Sequence, residues 1–213
     1  MYVKVCGITR LEDALCAVAV GADALGFNFV PGSKRRIEVG QARDIIARVC
    51  DRVQCIAVVA DLSVQEAEAL LAATRVDRLQ LHGDETPEQV ARLAPHAFKA
   101  LRIGTAQDLE RARAFAGDPL LLDAKVAGQL GGTGRTLDWP MVEPVARERA
   151  LLLAGGLTPE NVATAVRIVQ PWGVDTASGV ERADNARHKD PEKLARFLEE
   201  ARRAAPHGAA PKS

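Results

Sequence analysis

Eight short apolar runs alternate with longer amphipathic segments along this chain, and no other feature restricts its fold as strongly. The runs begin at Tyr2 (Y-V-K-V-C), Ala24 (A-L-G-F-N), Val53 (V-Q-C-I-A-V-V-A), Arg78 (R-L-Q-L), Phe98 (F-K-A-L-R-I), Leu120 (L-L-L-D), Ala150 (A-L-L-L-A) and Trp172 (W-G-V-D). Many are continuously apolar, which fits strands covered on both faces. The segments between them carry helical signals. Leu11, Ala14, Leu15 and Val18 fall at the spacing of one helix face. Thr9 with Glu12, Ser63 with Glu66, Thr86 with Gln89 and Thr105 with Asp108 are predicted N-terminal caps. Thr158-Pro159 and Asp190-Pro191 predict two further helix starts, because proline is suited to the first helical position.

Strict strand–helix alternation means a parallel sheet. Eight units in about 200 residues predict an α/β chain folded as one closed (β/α)8 TIM barrel. A doubly wound open sheet is the rival, but no G-x-G-x-x-G follows the first strand. With no linker in view, residues 1–204 form a single predicted domain, and 205–213 read as a frayed tail.

Composition narrows the function. Apolar residues make up 47% of the 213, enough for a full core, and 28 basic residues balance 28 acidic ones. That balance gives no nucleic-acid footprint. No apolar run approaches the length of a membrane span. The four cysteines, Cys6, Cys16, Cys50 and Cys55, form no C-x-x-C pair and no zinc pattern, which predicts a reduced, cytoplasmic protein.

The loops after strands 2, 6 and 8 are long, and in a barrel they crowd the face where active sites lie. Cys6 ends strand 1, either as a small buried apolar group or as a reactive thiol. Asp123 ends strand 6 after three leucines, where a carboxylate is costly unless paired or functional. Asp175 ends strand 8 and could serve loop amides instead. His82, ending strand 4, reads more readily as structural than as catalytic. Gly155 and Gly156 after strand 7, with Ser178 and Gly179 after strand 8, expose backbone N–H groups where barrels hold phosphate. The loop Gly131–Arg135 (G-G-T-G-R) reads as a lid. Arg35 and Arg36 are either a solvated basic pair or a clamp for a second anion. Lys4 is expected to point away from Cys6.

These residues carry a family resemblance. K-V-C-G-I-T, G-A-D-A-L-G-F-N-F-V-P-G-S-K-R-R-I, Q-L-H-G-D-E, L-L-L-D-A-K with G-G-T-G-R-T-L-D-W, L-A-G-G-L-T-P-E-N-V and G-V-D-T-A-S-G-V-E resemble, in order, the blocks of phosphoribosylanthranilate isomerases. The resemblance runs from Val3 to about Arg202. It implies an Amadori rearrangement of N-(5′-phosphoribosyl)anthranilate in tryptophan biosynthesis. It implies Cys6 as general base, Asp123 as general acid, Arg35 on the anthranilate carboxylate, and Asp175 on substrate hydroxyls or amine. His82 is added to the substrate-binding set. It implies a small phosphorylated substrate, no metal or organic cofactor, and a monomer or homodimer. Asp61 stands where the family often has Asn, and Ala177 where it often has Ser. A histidine-pathway barrel isomerase would have Asp in place of Cys6. A non-catalytic phosphate-binding barrel would not need Cys6 with Asp123.

Overall fold

The structure, a computed structural model, describes residues 1–124 and 139–205. The Gly131–Arg135 loop and residues 206–213 of the tail lie outside the described residues. Eight parallel strands close into a barrel in chain order: β1 (Tyr2–Cys6), β2 (Ala24–Asn28), β3 (Gln54–Val59), β4 (Arg78–Leu81), β5 (Ala97–Ile103), β6 (Leu120–Ala124), β7 (Leu151–Leu153) and β8 (Gly173–Thr176). The barrel closes through β1 and β8, with Tyr2 opposite Gly173 and Val5 opposite Thr176. Helices α1 (Leu11–Ala19), α2 (Val39–Ile46), α3 (Val64–Thr74), α4 (Pro87–Arg92), α5 (Ala106–Ala112), α6 (Trp139–Glu148), α7 (Val162–Val169) and α8 (Pro191–Ala204) follow the strands in turn. Among the described residues, no helix is long and apolar enough to cross a membrane.

Strand alternation divides the apolar residues into two layers. Val3, Val5, Leu25, Phe27, Leu79, Leu81, Leu151 and Val174 belong to the large cluster between strands and helices. Ala24, Ile56, Phe98, Ala100, Leu121, Leu152 and Ala154 form a second cluster inside the barrel, with Tyr2 packed on it. Tyr2 stacks on Trp172 with ring centroids 4.3 Å apart, and its hydroxyl donates to Gln54 Oε1 at 2.5 Å. The barrel is thereby plugged at the amino ends of its strands.

Ser63, Thr86 and Thr105 cap α3, α4 and α5 with reciprocal capping boxes, and Asp190 accepts from two amides at the start of α8. One predicted cap fails and one predicted helix start is displaced. Thr9 does not cap α1; its hydroxyl donates to the Arg187 carbonyl at 2.7 Å and Arg10 precedes the helix. After Thr158-Pro159 the chain first makes a turn and α7 begins at Val162, although Thr158 Oγ1 accepts the Glu160 amide at 3.2 Å and Asn161 Oδ1 accepts the Thr158 amide at 2.8 Å, as in a cap. The segment after β8, read from sequence as a plain loop, contains a 3-10 turn (Ser178–Val180) and an antiparallel ribbon, β9 (Glu181–Arg182) with β10 (Asn185–Lys189).

The β4–α4 loop is held by a buried ion pair. Lys99 Nζ lies 2.6 Å from Glu85 Oε2 and also donates to the carbonyls of Leu81 and Gly83. Glu85 accepts the amides of Asp61 at 2.9 Å and Gly83 at 3.0 Å. Removing one partner leaves the other charge buried without compensation. Lys99→Met is expected to lower unfolding free energy by about 3–5 kcal/mol in urea titration. Lys99→Met with Glu85→Gln is expected to recover a substantial part of it, and equal losses in the two proteins would refute the pairing argument.

Candidate active site

A cleft of about 560 Å³ opens at the carboxyl ends of the strands. Its walls bring together Cys6, Arg35, His82 and Asp123, together with Gly155, Gly156, Asp175 and Ser178. Gly179 stands behind this wall. A Cβ there would collide with the Leu157 carbonyl, which also accepts the Thr176 hydroxyl at 2.9 Å. The close approach at Gly179 therefore locks the loops after β7 and β8 against each other.

Cys6 reaches the cleft from the end of β1 and is 8% exposed. Gly7 follows at φ +78°, in the region favourable to glycine, and the Arg35 side chain lies where a Cβ would project. The expectation for Lys4 is overturned. Residues two apart on a strand share a face, so Lys4 points into the barrel alongside Cys6 while Val3 and Val5 face the helices. Lys4 is completely buried, and its Nζ pairs with Asp175 Oδ1 at 2.9 Å. Gly26 makes room for both: a Cβ there would stand 2.7 Å from Cys6 Sγ and 3.1 Å from Lys4 Nζ. Burial pushes the Cys6 thiol above its ordinary pKa, Lys4 opposes that rise, and Asp175 adds to it. Burial also works against the Lys4 ammonium, but Asp175 and then Cys6 hold its pKa above the ordinary lysine value.

Arg35 is anchored. Its Nε pairs with Glu181 Oε1, and its Nη2 donates to Glu181 Oε2 at 3.0 Å. Lys189 Nζ lies 3.4 Å from the same carboxylate and donates to the Ala177 carbonyl at 3.0 Å. The ribbon β9–β10 therefore fixes a guanidinium contributed by the β2–α2 loop. Arg36, by contrast, is half exposed beside Glu38.

His82 and Asp123 face each other across the cleft, with Nε2 3.9 Å from Oδ2. Asp123 is also the register partner of Arg102 on β5. Burial, then Arg102, Lys99 and Lys4, push His82 down to about 3, so its imidazole is neutral near pH 7. Among the described residues, Gln80 Oε1 and His82 Nε2 are buried with no hydrogen-bond partner. Such orphaned atoms in a cleft wall are suited to meeting a polar ligand. Asp61 adopts φ +57°, a conformation that Asp tolerates better than most residues, and takes the Asp84 amide at 2.6 Å. Gly155 and Gly156 have φ of +93° and +63°, and the Asn161 side chain holds the Gly156 carbonyl at 2.9 Å.

Lys4, Gln80, Arg102, Glu181 and Lys189 were not among the residues singled out for the site. The strand period carries a signal for the first three, since each lies at a position two residues from another inward-facing group, or on its register level. Glu181 and Lys189 fall in stretches that carry the family resemblance, but neither showed a role, because the ribbon that aims them is invisible as an apolar pattern.

A closed parallel barrel whose mouth gathers a thiol, two carboxylates and a tethered guanidinium at its strand ends defines a (β/α)8-barrel enzyme. A family model described as N-(5′-phosphoribosyl)anthranilate (PRA) isomerase matches residues 3–200. The chain belongs to this family, whose members are isomerases, intramolecular oxidoreductases of tryptophan biosynthesis. The N-(5′-phosphoribosyl)anthranilate isomerase of Thiobacillus denitrificans is 43% identical over 202 residues, covering 94% of this chain and 97% of that protein. The crystal structure of phosphoribosyl anthranilate isomerase from Thermotoga maritima matches with a TM-score of 0.87 at 38% identity, covering 95% of this chain and 98% of that one. A phosphoribosyl anthranilate isomerase in complex with reduced 1-(o-carboxyphenylamino)-1-deoxyribulose 5-phosphate matches with a TM-score of 0.83 at 36% identity, covering 95% and 98%.

A histidine with a depressed native pKa binds its proton in the unfolded chain first. Below the ordinary value near 6.5 the unfolded state therefore gains, and stability falls with pH until about 3. Urea titrations of the native protein and His82→Gln are expected to diverge below roughly pH 6 by about 1.4 kcal/mol per pH unit, the native protein losing more. Parallel pH profiles would show that His82 is not buried neutral.

Proposed function

We propose that this chain converts N-(5′-phosphoribosyl)anthranilate into 1-(2-carboxyphenylamino)-1-deoxyribulose 5-phosphate with Cys6 as general base and Asp123 as general acid. The observation that carries the reading is the convergence of Cys6, from the first strand, and Asp123, from the sixth, on one cleft that also holds Asp175 and Arg35. The relative crystallised with the reduced, phosphorylated analogue supports the substrate class, because it shares this barrel at 36% identity.

Asp123 gives its proton to the furanose ring oxygen as the bond from that oxygen to C1 breaks, leaving an iminium between C1 and the anthranilate nitrogen. The thiolate of Cys6 takes the proton from C2, and the electron pair released neutralises the iminium to give an enolamine. The enolamine tautomerises to the ketone as C1 gains a proton and the hydroxyl on C2 gives one up, its O–H electron pair forming the C=O bond. Two groups on opposite walls are needed, because one donates at the ring oxygen while the other accepts at C2.

The remaining residues bind. The phosphate is placed on the amides around Gly155, Gly156, Ser178 and Gly179, the corner where barrels usually hold one. With Ala177 carrying no hydroxyl, that corner relies on Ser178 and the backbone. Arg35 receives the anthranilate carboxylate with the edge of its guanidinium left outside the Glu181 pair. Asp175 holds substrate hydroxyls or the amine, and His82, being neutral, offers Nε2 to a polar substrate atom. The four free cysteines accord with a reduced, cytoplasmic setting.

Following the loss of phosphoribosylanthranilate fluorescence on mixing tests the roles directly. Cys6→Ala and Asp123→Asn are each expected to lower kcat by roughly 10²–10⁴-fold, the usual worth of a positioned acid or base, with native-like circular dichroism. A rate near that of the native protein in either variant would sink the assignment. Arg35→Ala is expected to raise KM by about tenfold or more, and an unchanged KM would remove Arg35 from carboxylate binding.

A further inference from the structure

Lys4 has no exposed surface, and neither binding nor proton transfer falls to it in the reaction above. A lysine so placed is costly, since burial disfavours its charge and an apolar side chain could fill the same space. Its position is specific. Nζ is 2.9 Å from Asp175 Oδ1, and the space that Gly26 leaves beside β2 is shared by this ammonium and the Cys6 sulfur. The other charged groups near the thiol come from separate elements. Asp175 stands on β8, Lys189 on β10, and Arg35 in the β2–α2 loop, the last two paired with Glu181. Lys4 alone among these cations lies on the strand of Cys6 and on the same inward face.

We propose that Lys4 is the positioning residue that sets the charge state of Cys6: its ammonium, anchored by Asp175, is the counter-charge against which the thiolate forms. The proposal rests on Cys6 as the base for its catalytic meaning, while its electrostatic content concerns the free protein. Burial lifts the thiol, and among the opposing influences Lys4 is the largest. Gly26 then has a function beyond packing, because any side chain there would separate the ammonium from the sulfur.

The test is the pH dependence of Cys6 alkylation by iodoacetamide in the full chain without substrate. Mass spectrometry of the Cys6 peptide keeps Cys16, Cys50 and Cys55 out of the reading. Lys4→Met is expected to move the profile up by at least about one pH unit, roughly tenfold slower alkylation at a fixed pH below it. Asp175→Asn is expected to move it down, because the ammonium then faces the sulfur without its anchoring anion. Lys4→Met with Asp175→Asn leaves neither member of the pair buried alone, and its profile is expected to lie above that of Asp175→Asn. Coincident profiles for Asp175→Asn and the double variant would overturn the proposal, and that comparison stands even where Lys4→Met alone does not fold. Shifts in the expected directions together with full turnover by Cys6→Ala would uphold the charge coupling and reject the base assignment instead.

Discussion

The barrel closes where β1 meets β8, and at that seam Lys4 and Asp175 are register partners joined by a 2.9 Å ion pair. The two residues are 171 positions apart in the chain, so the contact forms only when the last strand has docked beside the first. A slip of one residue would turn the whole inward set of a strand outward. Lys4 would then face the apolar layer that Val3 and Val5 occupy, with no carboxylate to meet it. A buried pair is weak evidence for stability, because desolvation opposes the attraction between the charges. Its consequence here is register: the closed barrel with this alignment satisfies both charges, and the slipped one satisfies neither.

From that seam the interior tapers. At the amino ends of the strands, Tyr2, Gln54, Phe98 and Arg78 fill the barrel, the Arg78 guanidinium lying 5.1 Å from the Phe98 ring centroid. Toward the carboxyl ends the inward positions shrink to Gly26, Ala100 and Ala154, and a cleft replaces the packed core. Polar and ionisable groups, namely Cys6, Asn28, Gln80, His82, Arg102, Asp123 and Asp175, line that cleft rather than the floor. The same alternation of strand residues thus builds a plug at one end and a reactive mouth at the other. Small residues near the mouth leave space that a ligand rather than a side chain would occupy.

The fold was legible because eight apolar runs and most helix caps are local signals. Ser63, Thr86, Thr105 and Asp190 act on amides two or three residues away, and the sequence shows each with its partner. Thr9 has the same local pattern, but its hydroxyl went to a distant partner. It bonds the Arg187 carbonyl, 178 residues distant, whereas Thr158 keeps local bonds to Glu160 and Asn161 while α7 starts at Val162. The candidate site was legible at strand ends, where a thiol or carboxylate interrupts an apolar run. It was illegible where charge pairs decide the matter. Glu181 and Lys189 became recognisable only through the short ribbon that turns them toward Arg35, and Lys4 required the two-residue period to be applied to Cys6.

Three buried cations follow one arrangement around the mouth. Lys4 is held by Asp175, Lys99 by Glu85, and Lys189 by Glu181. Glu85 passes the restraint to the amides of Asp61 and Gly83, beside His82. Glu181 passes it to Arg35 as a two-point clamp, with Lys189 offsetting the negative charge that would otherwise cancel the guanidinium. Because Nε and one N–H of Nη2 are turned to Glu181, the end-on edge formed by Nη1 and the second N–H of Nη2 is the one left outside that pair. Orientation set before a ligand arrives costs no rearrangement when charge develops in the reaction. The interior charges are therefore supports of the cleft wall, and the stability they give up to desolvation is exchanged for fixed direction at the residues that line it.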